Sequence, residues 1–96
     1  MTTLATTRPQ RSPGVLARQM KPEDPTVVLL NPQSGEYYTL NAVGSRVWQL
    51  CDGKSTATEI VAIIVQEFEA PPEVIESDVF GLLKELLDEA LLLRLP

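Results

Sequence analysis

The chain has 96 residues, 44% hydrophobic and 5% aromatic, with a formal charge of −5 and no histidine. That is apolar material for one packed core, too much for a disordered chain and too short for a second domain. The missing histidine removes the commonest general base, proton shuttle and metal ligand, and the acidic balance disfavours phosphate backbones and anionic lipid.

Residues 1–14 are Thr-rich, interrupted by Pro9, Pro13 and Gly14, and have little to bury, so they are expected to form a flexible arm ahead of a domain spanning 15–96. Residues 1–21 hold Arg8, Arg11, Arg18 and Lys21 and no acid, whereas 22–96 hold four bases against all thirteen acids. Four spread cations are too few for a nucleic-acid tail. The N-terminus has no apolar stretch of the secretory kind. The longest uninterrupted apolar run, Ile60–Val65, falls far short of a membrane span. One cysteine cannot form an internal disulfide, so a soluble protein of the reducing cytoplasm is expected.

Val15–Met20 alternates loosely and reads as a first strand, closed by the turn cluster Lys21–Pro25. Val27–Leu30 is a short continuous apolar run with the character of a second strand. Asn31–Gly35 has the length and composition of a hairpin loop. Glu36–Leu40 follows with high β-propensity, Tyr38 and Leu40 pointing one way, Tyr37 and Thr39 the other. The period changes at Asn41, a strong N-cap whose carbonyl can accept a free backbone N–H. Val43, Val47, Leu50 and Cys51 then share a helical stripe beside Trp48, and Asp52-Gly53 ends it.

Thr56 and Glu59 match a capping box, opening a second helix with Ile60, Ile64 and Phe68 on its apolar face. Pro71-Pro72 separates this helix from a third, about Glu73 to Glu89. At 100° per residue, with Val79 as zero, Leu82 lies near −60° and Phe80 near +100°, with Leu83, Leu86 and Leu87 between them. The apolar arc is therefore about 160° wide, against the ~100° that one core requires. Either a small domain buries this helix deeply, or one edge of the stripe lines a groove for a partner. Asp78, Glu85 and Glu89 rim one flank. Leu91–Leu95 is expected to tuck back as an extended segment. Three strands followed by three helices make an α+β domain, a three-stranded antiparallel sheet covered by helices, winged helix-turn-helix-like in outline.

No reactive constellation is present. Cys51 lies on an apolar face with no histidine to activate it, the glycines are isolated rather than forming a phosphate loop, and no serine sits in an Asp-Ser-Leu carrier site. Neither an enzyme nor a cofactor- or metal-binding protein is expected.

The hairpin Val27–Leu30 with Gly35–Asn41, then Gly44, Trp48, Leu50–Gly53, Thr56, Glu59–Val61, Phe68, Asp78-Val79, Leu82-Leu83, Leu86 and Leu91-Leu92, resembles the PqqD-like family. These are stand-alone recognition elements of ribosomally made, post-translationally modified peptides. The resemblance spans Val15 to Leu95, and Gly35–Asn41 is closer to the broader group than to the pyrroloquinoline quinone (PQQ) protein. It implies a domain that binds the leader of a precursor peptide. The leader adds as a strand to the third strand and lies in a groove beside the third helix. The domain then presents the peptide to a tailoring enzyme: a radical SAM protein, cyclase or protease. On that reading the peptide-binding residues are Glu36, Tyr37, Tyr38, Thr39, Leu40, Asp78, Val79, Leu82, Leu83 and Leu86. Monomer or weak homodimer is expected. The alternatives are a winged-helix DNA-binding regulator, which the scarcity of Lys and Arg on the second and third helices disfavours, and a non-catalytic subunit mating through its third helix.

Overall fold

The computed structural model describes residues 4–95. A 3-10 turn (Leu4–Thr6) leads into β1 (Arg8–Arg11), β2 (Leu16–Lys21), β3 (Asp24–Asn31) and β4 (Glu36–Leu40). Three helices follow, α1 (Ala42–Leu50), α2 (Ala57–Glu67) and α3 (Pro72–Asp88), and β5 (Leu92–Leu95) closes the chain. β2, β3 and β4 form an antiparallel sheet in sequence order. The expected α+β class, a three-stranded antiparallel sheet followed by three helices, is the one observed; winged helix-turn-helix describes it only loosely.

Local chemistry accounts for most of the boundaries. The hairpin turn is closed by Gly35 N–H donating to Asn31 O at 2.8 Å, and Gly35 takes the positive φ of +75° that glycine tolerates. On β4 the side chains alternate, Leu40 buried and Tyr38 half-buried against exposed Tyr37 and Thr39. Asn41 Oδ1 accepts from Gly44 N–H at 2.8 Å and caps α1. Thr56 and Glu59 complete the capping box in both directions, at 3.2 and 2.8 Å. These contacts satisfy N–H groups that a helix start leaves without intrahelical partners. α3 opens at Pro72, whose ring suits the first turn.

The core is one cluster. Leu29 and Leu40 from the sheet meet Val47, Trp48 and Cys51 of the α1 region, Ile60 and Ile64 of α2, and Ile75, Val79, Leu83 and Leu86 of α3. Leu91 and Leu92 close it from the C-terminal side. Burying a large aliphatic side chain contributes about 1.5–3 kcal/mol, so this cluster sets how the helices stack.

The N-terminal segment departs from the expected arm. Of residues 1–14, the first three lie outside the described residues, as does Pro96. Residues 8–11 instead form β1, antiparallel to β5 with Arg8 opposite Leu95 and Arg11 opposite Leu92. Thr7 and Pro9 are buried. Arg11 Nη1 donates to Trp48 O at 3.0 Å and Gln49 O at 2.9 Å. It sets a positive charge at the negative end of the α1 dipole while remaining exposed. Gly53 N–H donates to Pro9 O, and Ala57 N–H to Thr7 O, both at 2.9 Å. The sequence Arg-Pro-Gln-Arg has no strand pattern of its own. It is extended because its partner arrives from the far end of the chain.

Candidate functional site

β4 has β3 as its only strand neighbour among the described residues, so its other edge carries unpaired backbone donors and acceptors. Beside that edge lies an open groove of about 660 Å³. Tyr38, Thr39 and Leu40 form its strand wall, and Ser77, Asp78, Gly81, Leu82 and Glu85 of α3 form the opposite one. The floor is apolar, made by Val43 and Val47 of α1 with Ile75 and Val79 of α3, and Phe68 and Ala70 shape one end. Among the described residues Glu69, Asp78 and Glu85 are its only charged lining residues, so the groove is oily below and anionic at the rim.

The two walls are tied together. Tyr38 Oη donates to Glu85 Oε2 at 2.5 Å. Burial pushes the Tyr38 phenol up to about 12, assisted by the hydrogen bond and negative charge of Glu85 and by the charge of Glu89. Each of these makes the phenolate costlier than the phenol, so the hydroxyl remains a donor across the neutral range.

Six of the ten expected peptide-binding residues line this groove: Tyr38, Thr39, Leu40, Asp78, Val79 and Leu82. Glu36 and Tyr37 sit farther along β4, beside a shallow depression shared with Glu89 and Leu91, and Tyr37 is 71% exposed. Leu83 and Leu86 do not line the groove. Both are fully buried, at 0% exposure, and pack in the core. The centre of the wide stripe on α3 is core, its Ile75 and Val79 also flooring the groove, and Leu82 is the partly exposed edge that forms the wall. Periodicity gives the width of an apolar arc, not which edge the neighbouring elements cover.

Sequence reasoning missed the far half of the site, Val43, Phe68, Glu69, Ala70, Ile75 and Gly81. Phe68 fits the α2 core stripe and gives no local sign of another role. An isolated glycine inside a helical pattern was the one available signal, at Gly81.

Cys51 is fully buried, its Sγ donates to Val47 O at 3.1 Å, and burial pushes its thiol up to about 12. Among the described residues no group of three or more Cys, Asp or Glu side chains is arranged to hold a metal ion, and no helix is long and apolar enough to cross a membrane.

Three comparisons bear on this groove. The family model described as Coenzyme PQQ synthesis protein D (PqqD) matches residues 26–92, from β3 through the start of β5. The PqqA binding protein of Gluconobacter oxydans (strain 621H) is 36% identical over 55 residues, which is 57% of each protein, so the match spans little more than half of that relative. Among solved structures, TbiB1 in complex with the TbiA(beta) leader peptide superposes with a TM-score of 0.72 at 35% identity, covering 86% of this chain and 93% of that one. Lasso peptide synthetase B1, complexed with its leader peptide, has the same fold at 22% identity, with a TM-score of 0.74 over 90% of this chain and 98% of that one.

Proposed function

The chain belongs to the PqqD family, and from that premise we propose that it binds the leader segment of a ribosomally made precursor peptide and holds it for a modifying enzyme. The observation that carries this reading is the unpaired edge of β4 forming one wall of an apolar groove whose other wall is α3. The names of the relatives support it: one is a PqqA binding protein, and another was solved with a leader peptide.

The chemistry follows from the geometry. A peptide laid antiparallel or parallel to β4 exchanges backbone hydrogen bonds with it, and alternate side chains point into the groove. Each hydrogen bond yields about 0.5–1.5 kcal/mol net, whereas ordering each peptide residue costs about 1–2 kcal/mol. Strand addition alone therefore roughly breaks even. Affinity has to come from apolar side chains of the leader buried on Val43, Phe68, Ile75 and Leu82, at about 1.5–3 kcal/mol for each large one. The anionic rim favours a leader with Lys or Arg beside those anchors. Among the expected residues, Tyr38–Leu40, Asp78, Val79 and Leu82 are the contact set, Glu36 and Tyr37 extend the strand edge, and Leu83 and Leu86 support the wall from behind.

The protein's part is binding and presentation, not catalysis, in the cytoplasm, as a monomer or weak homodimer. Its partner is a tailoring enzyme of the radical SAM, cyclase or protease type. The binding unit begins at β1, because that strand braces both β5 and the end of α1. The winged-helix DNA reading lacks a cationic recognition helix: α2 has no Lys or Arg, α3 has only Lys84, and Arg11 is engaged with α1.

The test uses the short peptide gene expected beside the gene for this chain. Titrating its leader into isotopically labelled protein is expected to shift the amides of Tyr38–Leu40 and of Asp78–Leu82. A leader that binds tightly while leaving both segments unmoved overturns the proposed groove.

A further inference from the structure

Four of the five glycines have a reason within the molecule. Gly14, Gly35 and Gly53 adopt φ of +87°, +75° and +80°, where a side chain strains the backbone. A Cβ on Gly53 would also meet Leu95 Cδ1 at 2.9 Å, and one on Gly44 would press on Leu40 Cδ2 at 3.3 Å. Gly81 has neither reason. It lies in the middle of the 17-residue α3, it is absent from the positive-φ positions, and a Cβ there would find nothing within 4 Å.

A glycine inside a helix is costly. Alanine is favoured over it roughly fivefold in the helix–coil balance at an interior position. In this fold nothing offsets that cost, yet the space kept clear is not arbitrary. Gly81 is exposed and lines the groove, one helical turn from Asp78 on one side and from Glu85 on the other. It leaves bare helix backbone on the wall that faces the open edge of β4, midway along its length between Asp78 and Glu85.

We infer that Gly81 is a specificity-determining residue, the point where the docked peptide makes its closest approach to α3. The inference rests on the peptide-binding reading and adds to it where the peptide presses. A chain hydrogen-bonded to β4 directs every second side chain toward α3. The gap at Gly81 admits one of these at full depth, whereas a larger residue would hold the peptide off the strand edge. Since the fold gains from a side chain at 81 and binding loses from one, stability and affinity must move in opposite directions when it is added.

The experiment compares wild type with Gly81→Ala and Gly81→Leu. The probes are peptides selected on the wild-type protein from a displayed random library, with the synthetic TbiA(beta) leader in parallel. Gly81→Ala is expected to raise the urea midpoint and weaken the selected peptides several-fold, and Gly81→Leu to weaken them roughly tenfold or more, as overpacking does. A Gly81→Ala protein less stable than wild type would mean that the glycine serves the fold, and would overturn the inference. So would undiminished binding by both variants when Leu82→Asp abolishes it, a result that leaves the groove itself standing. If no selected peptide shifts the β4 amides or responds to Leu82→Asp, the peptide-binding reading fails and this inference fails with it.

Discussion

Leu82 and Leu83 are adjacent in sequence, identical in chemistry and opposite in employment. Leu83 is fully enclosed by the core, while Leu82, about 100° further round the helix, is half-buried and lines the groove. The same division runs along α3: Leu83 and Leu86 face only the core, Ile75 and Val79 are buried at the floor of the groove, and Asp78, Gly81, Leu82 and Glu85 line its open wall. One helix thus fills a core and walls the groove. The apolar surface beyond what the core covers is the surface we propose for the leader.

The contrast can be broken at either face. Leu83→Ala is expected to lower stability by about 2–5 kcal/mol, the range for a leucine cavity in a core, as read by urea denaturation. A loss below about 1 kcal/mol would mean that the inward face is not the structural one. Leu82→Asp is expected to weaken leader binding by roughly tenfold or more while the protein still unfolds cooperatively. Equal destabilisation by the two changes would erase the distinction between the faces.

Two smaller effects sharpen it. Thr56→Ala removes one half of the capping box far from the groove, and is expected to cost about 1 kcal/mol with leader affinity unchanged in calorimetry. Tyr38 supplies a pH test. Its ordinary value is 10.0 and the fold raises it to about 12, so the folded state holds the proton more tightly. Its stabilising contribution is fully present below pH 10 and is lost as pH rises toward 12. Cys51, raised from 9.0 to about 12, loses its contribution with the same sign in an overlapping window. Tyr38→Phe should therefore flatten part of the alkaline fall in stability and remove the tyrosinate absorbance component near pH 12. Loss of a component near the ordinary value of 10.0 instead would argue against the tie between β4 and α3.

Much of the fold was legible because its causes are local. Asn41 needs only the N–H three residues on, Thr56 and Glu59 need only each other, and the hairpin needs only Asn31 and Gly35 at its ends. Such contacts span a few residues, and the residue types that make them are few. The alternation on β4 was readable for the same reason, and so was the existence of α3 and the excess width of its stripe.

Tertiary structure decided the rest. Arg8–Arg11 became a strand because Leu92–Leu95 pairs with it, and no pattern within those four residues announces a partner more than 80 positions away. Leu83 and Leu86 were separated from Leu82 by the packing of α2, β5 and α1 on α3, since a helical stripe records how much surface is apolar but not what covers each edge. Phe68 and Ala70 joined the groove only through the turn between α2 and α3. Gly81 stood out in the sequence only as a glycine inside a helical pattern, and the reason for it emerged when the space beside it proved to be empty.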